Sequence, residues 1–597
     1  MPVVLEAESS TSGAKNGIFP EFARSTFEEN LKKIVARFPF SSEKISIQPA
    51  VTHSMNMTLN PENTFHVKIV YSLFLSSLLL WWSGFLGADL YAAPALLLII
   101  YLFYLVHKHT FYQTITAAIE KWYHWSTSPN GMKFYLILFV VQGLFWVAYP
   151  ILKYYSFNLF TLDAGYHSNI LYNISNGEFY SSVFNMNSLG EHFTLSMSFI
   201  SIFYKIIPSI NWMMGFKILA YLSSVGFIWL LCREYIEDQQ KAIFFSLVLS
   251  LCWLFFYRPI VNSVRYEFQA NCLAPPFIFY AFYCLKKNKI FVFFIVMVIL
   301  LGFKEHLGVV WIGFGIWAVL QNPQKKMGYI LVVGGIIAIY LLIFEIKPFL
   351  RESSIRYNDV NLIDPFSDLA LKARYFFGYL LLPVLFIPFV YWKNGIMAGP
   401  AIGINLITGQ QTMYSSHYHY DDAASVLLFI AVIISLEKLD LKKISSHLES
   451  SKLLQCLLVI WLMFFLILLP YSPLRFIKKV IPQPFHQEII QEINNFDQSS
   501  SGKQIAVQDV LGSHFYRKEM QAFYPGGDCT TGNKFYLGSL PHGLPEYEFL
   551  VLAPRVHHWG IPDMEQCISE LDLDPNHIKL EGYQHLVVYQ KKSELSL

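Results

Sequence analysis

From about residue 66 to 471 the chain is a succession of apolar runs broken by short polar loops. A helix needs about 20 mostly apolar residues to cross a bilayer. By that measure the runs near 67–86, 89–106, 133–152, 211–232, 242–257, 271–285, 290–303, 307–321, 328–346, 374–391, 395–409, 423–437 and 453–471 read as spans. The pattern predicts an all-α polytopic membrane protein with about 13 transmembrane helices. The run 193–207 is apolar too, but it is brief and stops at Pro208. It predicts a helix lying in the interface or re-entering the membrane. Beyond 471 the apolar runs shorten to strand length, in IAVQDV (505–510), YEFLVLAP (547–554) and HLVVYQ (585–590). They predict a small C-terminal α/β domain.

These shifts divide the chain into an N-terminal segment 1–65, two extra transmembrane helices and a loop at 66–132, a transmembrane module 133–471 and a domain 472–597. Within the module, 156–208 is a loop too long for a simple connector. The N-terminus lacks a basic region followed by a short apolar core and cleavage site, so the first apolar run is expected to act as the signal anchor.

Lys and Arg in short loops set orientation. With the N-terminus in the cytoplasm, the inside segments carry Lys108, Lys121, Arg233, Lys241, Lys286, Lys287, Lys289, Lys325, Lys326, Lys393, Lys438, Lys442 and Lys443. The loops 87–88 and 410–422, then outside, carry none. This orientation puts 156–208 and the C-terminal domain outside. Counting 193–207 as a full span would invert every later loop. The outside basic residues that remain are Lys205, Arg258, Arg265, Lys304, Lys347, Arg351, Arg356, Lys372 and Arg374. As a group they would suit a membrane-edge cavity for a phosphate.

Composition strengthens the membrane assignment: 54% of residues are hydrophobic and 14% charged, against about 25% charged in a soluble domain. The net charge of +2, with no basic block, excludes a nucleic-acid partner. Cys232, Cys252, Cys272, Cys284 and Cys456 lie in or beside apolar runs and read as small buried hydrophobes. Cys529 and Cys567 show no zinc spacing, and outside the membrane they are free to form a disulfide.

Four places carry candidate chemistry. Asp163, in FTLDAGYHSNILYNISNGEFYSS, suits a general base or a cation ligand. It equally suits an N-cap for the segment that follows. Glu191 and His192, after Gly190, can ligate metal, relay a proton or cap a helix. Lys304, Glu305 and His306 form a charged cluster between apolar runs, a functional candidate by default, and a lysine there suits a phosphate. The plain alternative is snorkelling with Lys304 paired to Glu305. His417 and His419, before Asp421 and Asp422, suit metal or sugar and phosphate contacts, without a specific zinc spacing. No phosphate loop, dinucleotide fingerprint, CxxC pair or nucleophile elbow appears in context.

The order of Asp163, His192, the helix start Ala274-Pro275-Pro276, Lys304-Glu305 and His419-Tyr420 resembles a bacterial family of predicted membrane proteins of unassigned function. That family is grouped with the GT-C glycosyltransferases, and the likeness covers roughly residues 135–590. It implies transfer of a sugar from a polyprenyl-phosphate donor to a lipid, glycan or protein acceptor. The expected place is the periplasmic side of the bacterial inner membrane, with the C-terminal domain periplasmic. Asp163, with Glu191 and His192, would be catalytic. Lys304, Glu305, His306, Arg258, Arg265, Glu267, His417 and His419 would hold substrate and its phosphate. A divalent metal, Mg or Mn, is the cofactor such sites allow. This chain departs from the pattern at Ser168, where the family tends to have a second acid. Its Gly-Asp-His reads Gly190-Glu191-His192, and its Lys-Glu-Asp reads Lys304-Glu305-His306. Its Asp-Phe-His-Pro-Glu reads Glu267-Phe268-Gln269-Ala270-Asn271, which removes two metal-ligand types. The alternative is a transporter or flippase of a lipid-linked or anionic substrate, for which an internal repeat and mid-membrane polar residues would be expected. No clear repeat is present.

Overall fold

The structure, a computed structural model, describes residues 61–83, 92–321, 325–351, 363–469, 473–515, 519–525, 529–531, 546–557, 561 and 563–592. The segment 1–60, the loop at 87–88 and Arg356 lie outside the described residues.

Most of the described chain is helical, with a small sheet near its C-terminus. The described helices do not confirm the count of thirteen spans. Among the described residues, five are long and apolar enough to cross a bilayer: Thr64–Trp81, Pro129–Tyr155, Asn211–Tyr235, Gln239–Phe256 and Lys325–Arg351. A bent pair, Lys443–Ser450 with Lys452–Ile467, makes a sixth if counted as one. The physical reason is breakage. The stretch read as a span at 374–391 is a π-helical turn Arg374–Leu381, a 3₁₀ turn Leu382–Val384 and a four-residue helix Ile387–Val390, with Leu385 and Phe386 left-handed between them. Helices such as Ile290–Leu301 and Asp422–Leu436 hold 12 and 15 residues. At about 1.5 Å per residue they fall short of a core about 30 Å thick. The run at 193–207 is an 11-residue helix, Ser196–Ile206, which buries Met197, Ile200 and Tyr204 and exposes Phe199, Ile202 and Ile206.

Local signals start the long helices. Ser128 accepts the Gly131 N–H at 3.2 Å ahead of Pro129, and Asp238 accepts Lys241 N–H at 3.0 Å ahead of Gln239. Asp422–Leu436 is apolar on all sides and buried along its whole length, so the bundle is assembled around it. Gly308–Leu320 and Lys325–Tyr340 approach backbone to backbone. A Cβ on Gly315 would lie 2.7 Å from the Gly328 carbonyl, so only glycine fits.

The long loop carries a short hairpin, β1 (Tyr180–Ser181) with β2 (Met186–Asn187). The C-terminal sheet has five strands: β3 (Ile505–Gln508), β4 (Met520–Phe523), β5 (Phe549–Leu552), β6 (His577–Leu580) and β7 (Val587–Lys591). Their order is β4-β3-β5-β7-β6, with β3 parallel to both neighbours and β7 antiparallel to β5 and β6. Alternation decides the faces. Ile505 and Val507 pack with Ile489, Ile493 and Phe496 of the helix Pro484–Ser499, and Ala506, Leu550 and Leu552 pack with Met564 and Leu571 of the helix Met564–Leu573. The three stretches read as strands are strands; β4 and β6 were not foreseen. Cys529 and Cys567 form a disulfide across a separation of 38 residues.

Candidate functional site

Asp163 sits where the chain leaves the helix Pro129–Tyr155. After Phe157, left-handed at φ 55°, a single π-helical turn Thr161–Gly165 runs into the helix Tyr166–Ser175. Such a turn leaves backbone donors free, and two carboxylates collect them. Glu267 accepts the N–H of Phe160 at 2.9 and 3.0 Å and that of Ala164 at 3.0 Å, with Lys153 at 3.8 Å. Asp509, from the C-terminal sheet, accepts the N–H of Thr161 at 3.1 Å. The Asp163 side chain caps no helix among the described residues. One of its oxygens accepts the Tyr266 hydroxyl and the other the Gln269 amide at 2.6 Å. Burial raises its pKa above the usual carboxylate value, against the pull of Tyr266, Gln269 and Lys304.

Tyr266 and Gln269 belong to the segment between the helices Arg258–Arg265 and Ala274–Lys286. Lys217, buried in Asn211–Tyr235, fixes that segment by donating to the carbonyls of Tyr266 at 2.7 Å and Glu267 at 2.9 Å. Lys217, Tyr266 and Asp509 were missed from sequence, and Gln269 was noted only as a departure from the family's pattern. Of the three missed, only Lys217 gave a signal, as an ionisable group inside an apolar run.

The second half of the site is the Lys304 turn. Glu305 does not pair with Lys304. It accepts Lys347 at 2.8 Å, lies 3.3 Å from His192 Nδ1, and takes the Phe193 N–H at 3.1 Å. Burial pushes the Glu305 carboxyl up, but His192, Lys347 and Lys304 pull it well below the usual range. Lys304 is left 6% exposed with no hydrogen-bond or ion-pair partner among the described residues; its amine lies 5.9 Å over the Tyr420 ring. Burial lowers its pKa, and Glu305 and Asp163 oppose that.

Aromatic rings join the halves. Tyr420 lies 4.4 Å from His419, and His419 lies 5.5 Å from Tyr266, which bonds Asp163. Both ring nitrogens of His419 are buried without a hydrogen-bond partner, as is Nε2 of His167, whose Nδ1 lies 2.8 Å from the Asp163 carbonyl. Burial takes His167 and His306 down to about 3, so both are neutral near pH 7. Lys304 acts electrostatically on Asp163, His167, His192, His306 and His419.

Asp163, His192, Lys304, Glu305, His306 and His419 therefore come together. Glu191 turns to Arg351 at 3.9 Å, and Glu267 is occupied by backbone. Arg258 lies 4.4 Å over Tyr379, beside Arg374 and within the field of His417, and Arg265 lies 4.3 Å over Phe476. An apolar cavity of about 410 Å³, lined by Pro365, Lys372, Phe376 and Ile407 among others, shares no residue with this cluster.

Among the described residues, no three His, Cys, Asp or Glu side chains are grouped as metal ligands, and both Asp163 oxygens accept neutral donors.

Residues 153–510 match the model of a family described as "Predicted membrane protein (DUF2079)". The chain belongs to this family. The match to DUF2079 begins within the last turn of the helix before Asp163 and ends just after Asp509, so it takes in every residue of the cluster. No curated protein matches the sequence. Solved structures similar to this DUF2079 chain include two of one protein. ArnT from Cupriavidus metallidurans bound to undecaprenyl phosphate is 11% identical at a TM-score of 0.48, covering 79% of this chain and 99% of ArnT. The same protein in the apo state is 11% identical at 0.46, covering 77% and 98%.

Proposed function

We propose that this protein is a glycosyltransferase that moves a sugar from a polyprenyl-phosphate donor to an acceptor hydroxyl on the periplasmic face of the bacterial inner membrane. The observation that carries the proposal is the unpaired, buried Lys304 amine in the same cluster as a carboxylate, Asp163, whose pKa is raised. Phosphate release needs a fixed cation, and a hydroxyl nucleophile needs a base. The donor class comes from the resemblance in motif order.

In this mechanism Asp163 takes the proton of the acceptor hydroxyl, whose oxygen attacks the anomeric carbon. The bond from that carbon to the phosphate oxygen breaks, and its electron pair leaves with the lipid phosphate. Lys304 stabilises the charge gathered there, and the unpartnered nitrogens of His419 and His167 are free to hydrogen-bond sugar or phosphate. Tyr266 and Gln269 hold the carboxylate in place. Glu305 stays ionised against Lys347 and leaves Lys304 unshared.

The test is transfer of labelled sugar from polyprenyl phosphate by the purified protein in proteoliposomes, with Lys304→Met beside wild type. A loss on the order of 10²-fold in kcat/KM is expected for removing one such charge. Wild type that moves labelled lipid across the bilayer without forming a glycosidic product would replace this proposal with the transporter.

A further inference from the structure

We infer that the C-terminal sheet is a working part of the active site: it grips the turn that carries Asp163 by taking Thr161 into the crevice where sheets of this type receive a ligand. The inference deepens the proposed function, since it rests on Asp163 as the base.

Open α/β sheets bind ligands outside the carboxyl ends of parallel strands, where the chain reverses its direction of travel across the sheet. Here that point is β3. It is parallel to β4 on one side and β5 on the other, and the chain visits β4 first and then crosses to β5. Gln508, the last residue of β3, ties the two strand ends together by accepting Ala553 N–H at 2.7 Å and donating to the His557 carbonyl at 2.8 Å.

The next residue, Asp509, faces Thr161. Its Oδ1 accepts the Thr161 N–H at 3.1 Å and the Tyr524 hydroxyl, and its carbonyl accepts the Thr161 hydroxyl. The fit is close to the limit of packing. A Cβ on Gly512 would lie 2.1 Å from Thr161 Oγ1, and one on Gly165 would lie 3.1 Å from the Gly512 carbonyl carbon. His514 holds the stretch that leads into the turn, stacked 4.2 Å from Tyr154 and tilted 4.4 Å from Phe157, with Nε2 3.1 Å from the Tyr154 carbonyl. Both ends of the turn are thus held by the residues that follow β3, and Thr161 is two residues from Asp163. Simple docking would have no need to place these bonds on the π-helical turn. Asp509 is a positioning residue, acting on the acceptor through Asp163.

The experiment uses the full chain in nanodiscs and two readouts, amide hydrogen exchange over 157–166 and sugar-transfer kinetics. Asp509→Ala is expected to speed exchange there by about tenfold, the worth of one lost hydrogen bond. It should lower kcat by about 10²-fold, as a misplaced group does, with donor KM within about twofold. Asp509→Asn keeps the Oδ1 acceptor and should restore both. Thr161→Val, nearly isosteric, should show part of each loss and decides the matter if Asp509→Ala does not fold. Unchanged exchange in both Asp509→Ala and Thr161→Val overturns the inference. Equal losses in Asp509→Asn and Asp509→Ala do so too. If wild type transfers no sugar, the function falls, and the exchange arm still decides whether the sheet holds the turn.

Discussion

Replacing Asp163 by Asn separates a base from a structural hydrogen-bond acceptor. The structure sets the magnitude of each. Asn can turn its Oδ1 to the Gln269 amide and donate from Nδ2 to the Tyr266 oxygen, whose hydroxyl proton rotates away. Both existing contacts survive as neutral bonds. What is lost structurally is charge assistance, about 1 kcal/mol, or less than tenfold in anything that depends on geometry. Losing a general base costs about 10²–10⁴-fold in rate, some 3–5 kcal/mol. The two explanations differ by at least about tenfold. The measurement is sugar transfer in proteoliposomes, normalised to protein that melts like wild type. The pH dependence gives a second reading of the same group. Burial raises the pKa of Asp163, so the base form is lost as pH falls through a midpoint above the ordinary carboxylate value. Wild-type kcat/KM should show that acidic limb, and the residual rate of Asp163→Asn should lack it. An Asn variant within about threefold of wild type, or one that keeps the limb, refutes the base assignment.

Two further outcomes follow from the contacts around the turn. Glu267→Ala strips the acceptor from the Phe160 and Ala164 N–H groups and the charge facing Lys153. At about 1–3 kcal/mol per buried unsatisfied group, a clear fall in unfolding midpoint is expected, read by size-exclusion thermal scans. Reducing the Cys529–Cys567 disulfide opens a loop of 38 residues. On chain entropy this costs up to about 4 kcal/mol, measured as a lower denaturant midpoint for the C-terminal sheet after reductant.

Much of the fold was legible because its signals are local. Apolar runs, caps such as Ser128 and Asp238, and alternation in 505–510 each depend on residues a few positions apart. The continuity of the helices was not legible, because hydropathy does not register where proline, glycine or a left-handed residue breaks a helix, as at Leu385 and Phe386. In the cluster, Asp163 and Lys304 were marked by charge beside apolar segments, but their surroundings were not. The alternative reading, Lys304 paired with Glu305, fails because Lys347, 42 residues from Glu305, takes that carboxylate. Thr161 and Asp509 are separated by 348 residues, and nothing local announces their contact.

The segment 266–271 shows why the departures in this chain mattered more than the motifs. The polar side chains there divide among separate parts of the site: Tyr266 and Gln269 both take Asp163, Glu267 takes the turn's backbone, and Asn271 donates to the His419 carbonyl and to Asp422, each at 3.0 Å. Phe268 sets its ring edge-on to His167 at 5.3 Å. One six-residue stretch therefore fixes the carboxylate, the turn that carries it and the histidine loop opposite. Where the resemblance in motifs implies a histidine, this chain has Gln269, directly on Asp163. The amide does not itself titrate and lends the carboxylate no positive charge. Asp163 thus keeps the raised pKa that burial gives it, and Lys304 remains the unpaired cation of the cluster among the described residues. A separated base and cation is the arrangement sugar transfer from a phosphate requires, since a proton must be taken at one end while negative charge is released at the other.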